Sequence, residues 1–286
     1  MTTGDQMTVA VLMSVLNKDP MTAAKDARLA TEAVMVIQGD REGTAEFAVP
    51  DCEGNERGVS VVYDSGRGVG RSRNTAIDCA PADADILMFC DDDIRYDEGY
   101  GKAVAEEFRR IPQADLITFN MRVDATRHTY ENQGRRRIHF WNSGRYPAYS
   151  IAVRSDAVRQ SGVRFSTLFG GGARYGSGED SLFLTDCLKA GMKLYTSPVF
   201  LGRELERPEG STWFKGYNEK YFIDKGVLYS YLYGRSAGII SRIYLMRHRE
   251  QWCVEVPYGR ALALLKKGVA EGLQLQAESS GKEEDK

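Results

Sequence analysis

The sequence predicts an α/β protein in which a mixed, mainly parallel sheet is flanked by helices and followed by a helical C-terminal extension. Two observations lead to this fold class. Over roughly the first 200 residues, short apolar runs alternate with helix-prone segments, and from about residue 217 onward the pattern is helical. Because strand–helix–strand units favour parallel neighbours, the alternating part predicts a sheet with helices on both faces.

The predicted strands are short runs that are rich in β-branched residues. In chain order they cover residues 8–16, 33–38, 58–63, 84–90, 114–123, 149–154 and 194–200. The helices predicted between them cover residues 21–30, 75–80, 98–111 and 179–190. The order of these segments predicts a sheet domain at 7–200, a helical extension at 201–275 and a charged, disordered tail at 276–286.

Composition excludes several classes of protein. The chain has 286 residues, 42% of them hydrophobic and 27% charged, which is ordinary for a globular protein with a core. The net charge of −2 gives no reason to expect a nucleic-acid partner. The five cysteines are scattered, no apolar stretch reaches the length of a membrane span, and the first residues lack the basic segment of a signal peptide. We therefore expect a cytoplasmic protein.

Three consecutive aspartates, Asp91 to Asp93, follow the apolar strand "ADILMFC". Two carboxylates about 5 Å apart repel by roughly 3 kcal/mol at an effective dielectric constant of about 20, so such a cluster indicates a positive partner. Residues two apart on a strand face the same side, which would point Asp91 and Asp93 together and Asp92 away. Carboxylates at the carboxyl end of a parallel strand suit Mg²⁺, Mn²⁺ or a ribose, and the alternative is a solvated turn.

The loop "GRGVGRSRN" at 66–74 combines glycines with arginines before a predicted helix. It matches the dinucleotide-binding fingerprint only in part, because Arg71 stands where the third glycine is expected. Arg73 and Asn74 are expected to begin the helix, where they could contact a diphosphate or a base. For Arg67 and Arg71, a flexible basic loop is an equal alternative.

The segment "GSGEDSLFLTDCLKAG" places Glu179 and Asp180 at the start of an amphipathic helix. The glycine-rich "FGGGARYGSG" before it favours close approach of a ligand, and a carboxylate there could act as a general base. Because acidic residues favour helix N-termini, a simple helix cap is the alternative, and Asp180 is expected to be ionised at neutral pH. The three histidines lie apart and receive no role.

Taken together, "GRGVGRSRN", "ILMFCDDD" and "GEDSLF" resemble the inverting glycosyltransferases of family 2, which have the GT-A fold. The resemblance covers roughly residues 7–200, which would then form the catalytic domain. It implies a nucleotide-sugar donor, expected to be UDP-linked, and a divalent cation, Mn²⁺ or Mg²⁺.

The resemblance also implies roles for individual residues. Asp93 and Asp91 would bind the metal, and Asp180 would be the catalytic base with Glu179 beside it. The nucleotide would contact residues at the strand ends and the helix start, namely Asp40, Arg73, Asn74, Asp91 and Asp92. The acceptor is expected to contact Gly171, Gly172 and Trp213.

Two departures from the family refine the expected reaction. The chain lacks the QxxRW motif of processive synthases, and "STWFKGYNEKYF" resembles a bacterial subgroup that adds single sugars to cell-surface glycans. It also lacks the histidine that many relatives place after the strand "KLYTSPVF" as a further metal ligand. We therefore expect transfer of one sugar to a glycan, glycoprotein or lipid-linked acceptor.

Other interpretations stay open from the sequence alone. A sugar-1-phosphate nucleotidyltransferase and a non-catalytic partner protein with a glycosyltransferase-like fold are the main alternatives, while the broken fingerprint disfavours a nicotinamide dehydrogenase. The segments "SRIYLMRHREQW" and "YGRALALLKKGV" mix bulky apolar and basic residues, as interfacial helices do. Peripheral contact with the inner face of a membrane is therefore one hypothesis, and packing on the catalytic domain or in a homo-oligomer is the favoured alternative.

Overall fold

The computed structural model describes residues 7–124, 130–206, 216–253 and 255–284, with side chains described through residue 279. The chain divides into two compact units. The first comprises Met1–Thr167 and Glu179–Pro208, and the second comprises Leu168–Gly178 and Glu209–Lys286. The division differs from the predicted boundary near residue 200, because the glycine-rich segment 168–178 belongs with the C-terminal helices.

Within its described residues, the first unit is built on one nine-stranded sheet. The strands are β1 (Val9–Leu16), β2 (Glu32–Gln38), β3 (Gly43–Pro50), β4 (Glu56–Asp64), β5 (Ile86–Asp91), β6 (Ile94–Tyr96), β7 (Leu116–Arg122), β8 (Ile151–Arg154) and β9 (Leu194–Glu204). The helices of this unit are α1 (Pro20–Ala27), α2 (Val69–Asp78), α3 (Tyr100–Arg110), α4 (Ser155–Ser161) and α5 (Glu179–Lys189).

The sheet has the order β3-β4-β2-β1-β5-β8-β7-β9-β6. Strands β4, β2, β1 and β5 are parallel neighbours, as are β7 and β9. Strand β8 is antiparallel to both β5 and β7, and the two outer strands β3 and β6 are antiparallel to their neighbours. The parallel block matters for function because its strands all end at one edge of the sheet.

Two hydrophobic cores cover the two faces of the sheet. Strand β1 alternates between them: Val11 and Met13 pack with residues of α1 and α3, whereas Ala10 and Leu12 pack with residues of α2, α4 and α5. This alternation is the period of two that a strand imposes on its side chains. Because both faces are buried, the strand shows as a continuous apolar run in the sequence.

The structure confirms the predicted α/β fold class, and it adds elements that the sequence analysis did not predict. The edge strand β3 is mostly exposed and lacks an apolar run, the strand β6 has three residues, and the helix α4 has seven. Helix α2 begins at Val69, earlier than expected, so that Arg73 lies within the helix and not at its start. Gly68, with φ of 117°, supplies the turn that permits the earlier start.

The second unit is helical. Its helices are α6 (Glu219–Tyr233), α7 (Ala237–Arg247), α8 (Arg249–Trp252) and α9 (Tyr258–Glu284). Helices α6 and α9 cross at Gly226 and Gly268, where a Cβ on either glycine would collide with backbone atoms of the other helix. Glycine at these two positions therefore permits the close crossing. Beside it lies a core that includes Phe222, Leu245, Trp252 and Leu265.

The C terminus differs from the sequence-based expectation. Residues 276–284, predicted as part of a disordered tail, continue helix α9. Glutamine, alanine, glutamate and lysine are good helix formers, and extending an existing helix avoids the cost of nucleation. None of the helices in the described part of the chain combines the length and apolarity that crossing a membrane requires.

Helix α7 leaves an apolar face exposed. Ile239, Ile243 and Met246 are 64%, 47% and 61% exposed and lie on one side of the helix. Arg242 and Arg247 are exposed as well, and the helix contains no acidic residue. We call these five residues the α7 face.

Candidate active site

Polar side chains collect where the parallel strands end. Gln38, Asp64 and Asp91 are the last residues of β2, β4 and β5, and register pairing places Gln38 beside both Leu16 and Asp64. We call this edge of the sheet the carboxyl edge. Ligands of parallel α/β sheets bind at such an edge, so this is where a site is expected.

At the carboxyl edge, one buried arginine binds three carboxylates. Nη1 of Arg73 donates to Oδ1 of Asp180 at 2.8 Å and to Oε1 of Glu179 at 3.2 Å, while Nη2 donates to Oδ1 of Asp91 at 2.9 Å. The Arg73 side chain is only 3% exposed, and that of Asp180 is 23% exposed. These four residues are hereafter the Arg73 cluster. The structure therefore brings together four of the residues singled out from the sequence, from three different elements.

Local packing fixes the helix that carries Arg73. A Cβ on Gly70 would collide with the backbone oxygen of Ser166, so glycine lets α2 approach that segment. The Asn74 side chain then closes two hydrogen bonds with the backbone of Phe165, at 2.9 Å as donor and 2.8 Å as acceptor. Asn74 thus anchors the helix, and its predicted contact with a nucleotide stays a prediction.

Aromatic rings form the floor beneath the guanidinium. The guanidinium carbon of Arg73 lies 5.1 Å from the centroid of the Phe165 ring. Phe165 stacks on Phe183 at 4.0 Å between centroids and meets the edge of Phe89 at 4.9 Å. Such a floor excludes water from one side of the ion pairs and so lowers the local dielectric, which strengthens attraction and repulsion alike.

The charges of the cluster shift two pKa values in the same direction. Burial lowers the pKa of Arg73, but the charges of Asp91, Asp180 and Glu179 raise it above its ordinary value, so the guanidinium stays charged. Burial, followed by the neighbouring Glu179 charge, raises the pKa of Asp180 to about 8, although Arg73 opposes the rise. The expectation that Asp180 is ionised at neutral pH because it lies at a helix start is therefore wrong for the unliganded protein: burial and like charge outweigh the helix dipole.

The residues expected to bind a metal lie on both sides of a strand end. Strand β5 ends at Asp91, and Asp92 and Asp93 form the turn into β6. The alternation of side chains along a strand, which predicted that Asp91 and Asp93 point to the same side, therefore does not apply to Asp93. Asp93 is nearly buried. Asp92 accepts a hydrogen bond from the backbone N–H of Leu16 at 3.2 Å, which ties the turn to the end of β1.

The donor set at this edge fits a hard divalent cation. Across the described segments, no group of three or more His, Cys, Asp or Glu residues could hold a metal by itself. Mg²⁺, however, commonly takes one or two carboxylates and completes its coordination shell with substrate phosphates and water. The cluster pairs one arginine with three acids. The acids therefore outnumber the positive charges, and a divalent cation would balance the remaining negative charge.

The sequence analysis missed a second polar group at the carboxyl edge. Asp64 accepts two hydrogen bonds from Arg71, at 2.8 and 3.0 Å, and one from the N–H of Gly66 at 2.8 Å. These contacts, the Arg71 hydrogen bond foremost, lower the pKa of Asp64. The buried Gln38 amide donates to the carbonyls of Gly66 and Gly68 at 2.9 and 3.3 Å. The glycine-arginine loop is therefore held at the edge. The available signal in the sequence was an acid directly after a predicted strand.

Four further residues are predicted to contact a ligand. Asp40 is exposed in the bend after β2, and Gly171 and Gly172 are exposed in the segment 168–178 of the second unit. Trp213 lies outside the described residues. The roles proposed for these residues stay predictions.

A cavity of about 250 Å³ lies in another part of the first unit. Its lining includes Thr8, Glu32, Asp51 and Lys102, near the amino ends of β1 and β2. Because ligands of parallel sheets bind at the carboxyl ends of strands, the position of this cavity gives it no part in the site described above.

Replacing Arg73 by methionine should destabilise the protein strongly. The change leaves three carboxylates together without their cation, and removing one partner of a buried ion pair costs about 3–5 kcal/mol. Urea unfolding at pH 7.5 measures the loss, with Arg164→Met as the control, because its ion pair with Asp78 is exposed and contributes at most about 1 kcal/mol. Equal losses in the two variants would contradict the assigned importance of Arg73.

The raised pKa of Asp180 predicts a pH-dependent gain in stability for Asp180→Asn. The folded protein holds a proton on this carboxyl that the unfolded chain releases above its ordinary pKa of 3.8. The stability due to that proton is complete below pH of about 4 and is lost as the pH rises through about 8. Asparagine carries no charge at any pH. The melting temperature of the Asp180→Asn variant, relative to that of the wild type, should therefore rise as the pH increases from about 4 to about 8. Melting curves without metal or donor test this, and a difference that is independent of pH would refute it.

The sequence model of glycosyl transferase family 2 matches residues 8–168, more than half of the 286-residue chain. No protein among the curated sequences matches the chain.

Among solved structures, the chain is similar to TarS from S. aureus. In a crystal structure of TarS residues 1–349 in complex with UDP-GlcNAc, the identity is 15%, the match covers 87% of this chain and 74% of that one, and the TM-score is 0.57. For TarS 1–349 in a second crystal structure, the identity is 13%, the coverage is the same and the TM-score is 0.55. For the crystal structure of S. aureus TarS, the identity is 14%, the match covers 87% of this chain and 44% of that one, and the TM-score is 0.55. These similarities show a shared fold, and the family match over residues 8–168 shows that the chain belongs to glycosyl transferase family 2 and is a glycosyltransferase.

Proposed function

We propose that this glycosyltransferase moves a single sugar from a UDP-linked donor to a hydroxyl of a glycan, glycoprotein or glycolipid acceptor, with inversion at the anomeric carbon. The observation that carries the proposal is the Arg73 cluster. Two neighbouring carboxylates of one helix and the carboxylate that ends a central strand meet at the carboxyl edge of the sheet. Asp180, 23% exposed, keeps part of its carboxyl accessible to a substrate.

The donor would lie along the carboxyl edge. TarS, which shares the fold, has been crystallised with UDP-GlcNAc, and this supports a nucleotide-sugar donor here. The loop held by Gln38 and Asp64 precedes helix α2, and backbone N–H groups near a helix start suit a diphosphate. The exposed Asp40 is proposed to contact the base, as the family resemblance implies.

Asp91 and Asp93 are proposed to hold Mn²⁺ or Mg²⁺. One oxygen of Asp91 is engaged by Arg73, and the other is compatible with metal coordination. When bound, the cation would offset the negative charge that grows on the departing diphosphate. Arg73 would keep Asp91 oriented toward the donor while it holds the acids of α5 in place.

Asp180 is proposed to accept the proton of the acceptor hydroxyl. As the acceptor oxygen forms its bond to the anomeric carbon, the bond from that carbon to the diphosphate oxygen breaks, and the diphosphate leaves with the electron pair. The hydroxyl proton passes to the Asp180 carboxylate. A base is most effective when its pKa lies near the working pH, and burial beside Glu179 raises the pKa of Asp180 to about 8.

Glu179 has a different proposed task. It precedes Asp180 at the helix start and is nearly buried, with its Oε1 accepting from Arg73 at 3.2 Å. From this position it raises the basicity of Asp180 by charge and fixes the guanidinium. We propose that it supports the acceptor side of the site, and that it is not the base.

We also propose that the α7 face contacts an anionic membrane surface, which would place a cytoplasmic enzyme next to lipid-linked acceptors. Its apolar and arginine side chains alternate as they do in interfacial helices. The protein should co-sediment with vesicles rich in phosphatidylglycerol at low salt, and the double variant Arg242→Glu and Arg247→Glu should bind at least about tenfold more weakly, since each basic residue contributes about 1 kcal/mol. Arg164→Glu in the first unit is the control, and absence of wild-type binding at low salt would end the membrane proposal.

Asp180→Asn should lower kcat by a factor on the order of 10² or more, because the variant cannot accept the proton. Donor affinity should change little, because the proposed donor contacts lie on other residues. The control is Asp186→Asn, an exposed acid of the same helix that pairs with Lys189. Once a donor–acceptor pair is found, NMR of the product should show the inverted anomer. A retained anomer, or full activity of Asp180→Asn, would show that the acids of α5 only cap their helix.

Asp93→Asn should abolish the metal-dependent part of UDP binding while the protein stays folded. Calorimetric titration of UDP with and without Mn²⁺ separates the metal-dependent part from the rest. Asp97→Asn is the control, because Asp97 is exposed and pairs with Arg122 shortly after the same turn. If Asp93→Asn bound UDP–Mn²⁺ as tightly as wild type, the assignment of Asp93 as a metal ligand would be wrong.

A further inference from the structure

An aromatic pair lies exposed between strands β7 and β8. Trp141 is 79% exposed, the largest exposed fraction among the large hydrophobic side chains of the described residues, and Phe140 is 53% exposed. Scattered single hydrophobic residues on a surface need no explanation, but two adjacent aromatic rings, one of them tryptophan, form a patch.

The backbone holds this pair in a defined turn. The N–H of His139 donates to Oδ1 of Asn142 at 2.7 Å, and the N–H of Asn142 donates back to the carbonyl of His139 at 3.1 Å. The hydroxyl of Ser143 donates to the carbonyl of Phe140 at 3.2 Å. The imidazole of His139 stacks on the Trp141 indole, with 4.4 Å between centroids and 13° between planes. The turn is therefore closed by its own hydrogen bonds while both aromatic rings remain exposed.

The same stretch of chain leads directly to the catalytic acid. Its next residues form a short helical turn, Ser143–Arg145, and a Cβ on Gly144 would lie 3.6 Å from Oγ of Ser181, the residue that follows Asp180. Farther along, the backbone N–H of Ala148 acts on the Asp180 carboxyl and lowers its pKa, against the larger effect of burial. Trp141 precedes Gly144 by three residues, so their Cα atoms are at most about 11 Å apart. The aromatic turn is thus joined by a short stretch of chain to residues beside the start of helix α5.

We propose that Trp141, together with Phe140, forms a stacking platform for the acceptor saccharide. This inference rests on the proposed function, and it adds the chemical class of the acceptor: a pyranoside with one flat face of C–H groups. Such a face is apolar and its hydrogens are slightly positive, so it packs on the negative face of an indole ring. The hydroxyls at the rim of the sugar remain free to reach Asp180.

Continuity with the catalytic helix favours a saccharide over other occupants. Because Gly144 lies next to Ser181, a sugar bound along the stretch 143–148 would be near Asp180, and Phe140 and Trp141 shortly precede that stretch. The guanidinium carbon of Arg145, four residues after Trp141, lies 4.6 Å from the ring centroid of Tyr130, which is 43% exposed. A second copy of this chain and another protein are the competing occupants that the test separates.

The test measures saccharide binding and donor binding in the same protein samples. The probes are the methyl β-pyranosides of glucose, galactose and N-acetylglucosamine, each followed by saturation-transfer NMR in the presence of UDP and Mn²⁺. We expect transfer to the axial C–H protons in the wild type and a loss of at least about fivefold in Trp141→Ala, with Trp141→Phe between them. Tyr233→Ala, which truncates a 42% exposed ring of the second unit, should behave as wild type.

The outcomes separate this proposal from the proposed function. If UDP–Mn²⁺ binds normally but none of the pyranosides contacts the wild type, or Trp141→Ala binds them equally well, the platform is refuted and the donor assignment stands. If UDP–Mn²⁺ does not bind the wild type, the proposed function fails, and the platform fails with it as an acceptor site. Concentration-dependent dimerisation that Trp141→Ala abolishes, without pyranoside binding, would assign the patch to a second copy of the chain.

Discussion

The buried guanidinium of Arg73 is the constraint on which the rest of the site depends. Removing a cation from water costs several kcal/mol, so a side chain with 3% exposure persists only where strong partners surround it. Asp91, Glu179 and Asp180 supply them, and each comes from a terminus: the end of β5 or the start of α5. The sheet and the helices on one of its faces must therefore meet at one point, and the packing of Asn74 and the Phe165–Phe183 stack holds them there.

One arginine does not balance three acids, and this imbalance connects structure to activity. Burial, and after it the negative charges of Glu179 and Asp91, raise the pKa of Asp180. The same surplus of negative charge would favour the proposed divalent cation. In this view, Arg73 is a permanent positive charge that holds the three acids together, and the metal bound with the donor would supply a second positive charge. A nucleotide sugar arriving with its metal would then lower the pKa of Asp180 and prepare it to accept a proton.

More of the Arg73 cluster than of its surroundings could be predicted from the sequence. Asp91, Glu179 and Asp180 stand in short motifs at element ends, which chain connectivity brings to one edge, and Arg73 stands in a motif just inside a helix. What the sequence did not predict is that Arg73 itself is the positive partner of the acids, because that contact joins residues 18, 106 and 107 positions apart. Strand β3 was not predicted because an exposed edge strand needs no apolar run. The helical conformation of residues 276–284 was not predicted because the composition of this segment alone does not show that it continues a helix. The exposure of Trp141 is a tertiary property, which no local pattern encodes.

The central claim is that the Arg73 cluster is the catalytic centre, with the donor's metal beside it. Crystals of the protein grown with UDP and Mn²⁺, and measured at the manganese absorption edge, test this claim most directly. The account predicts one anomalous peak within coordinating distance of the carboxylates of Asp91 or Asp93, with the diphosphate against the loop that begins at Gly66. A peak elsewhere, such as in the cavity beside Asp51 and Glu53, with no nucleotide at the carboxyl edge, would contradict it.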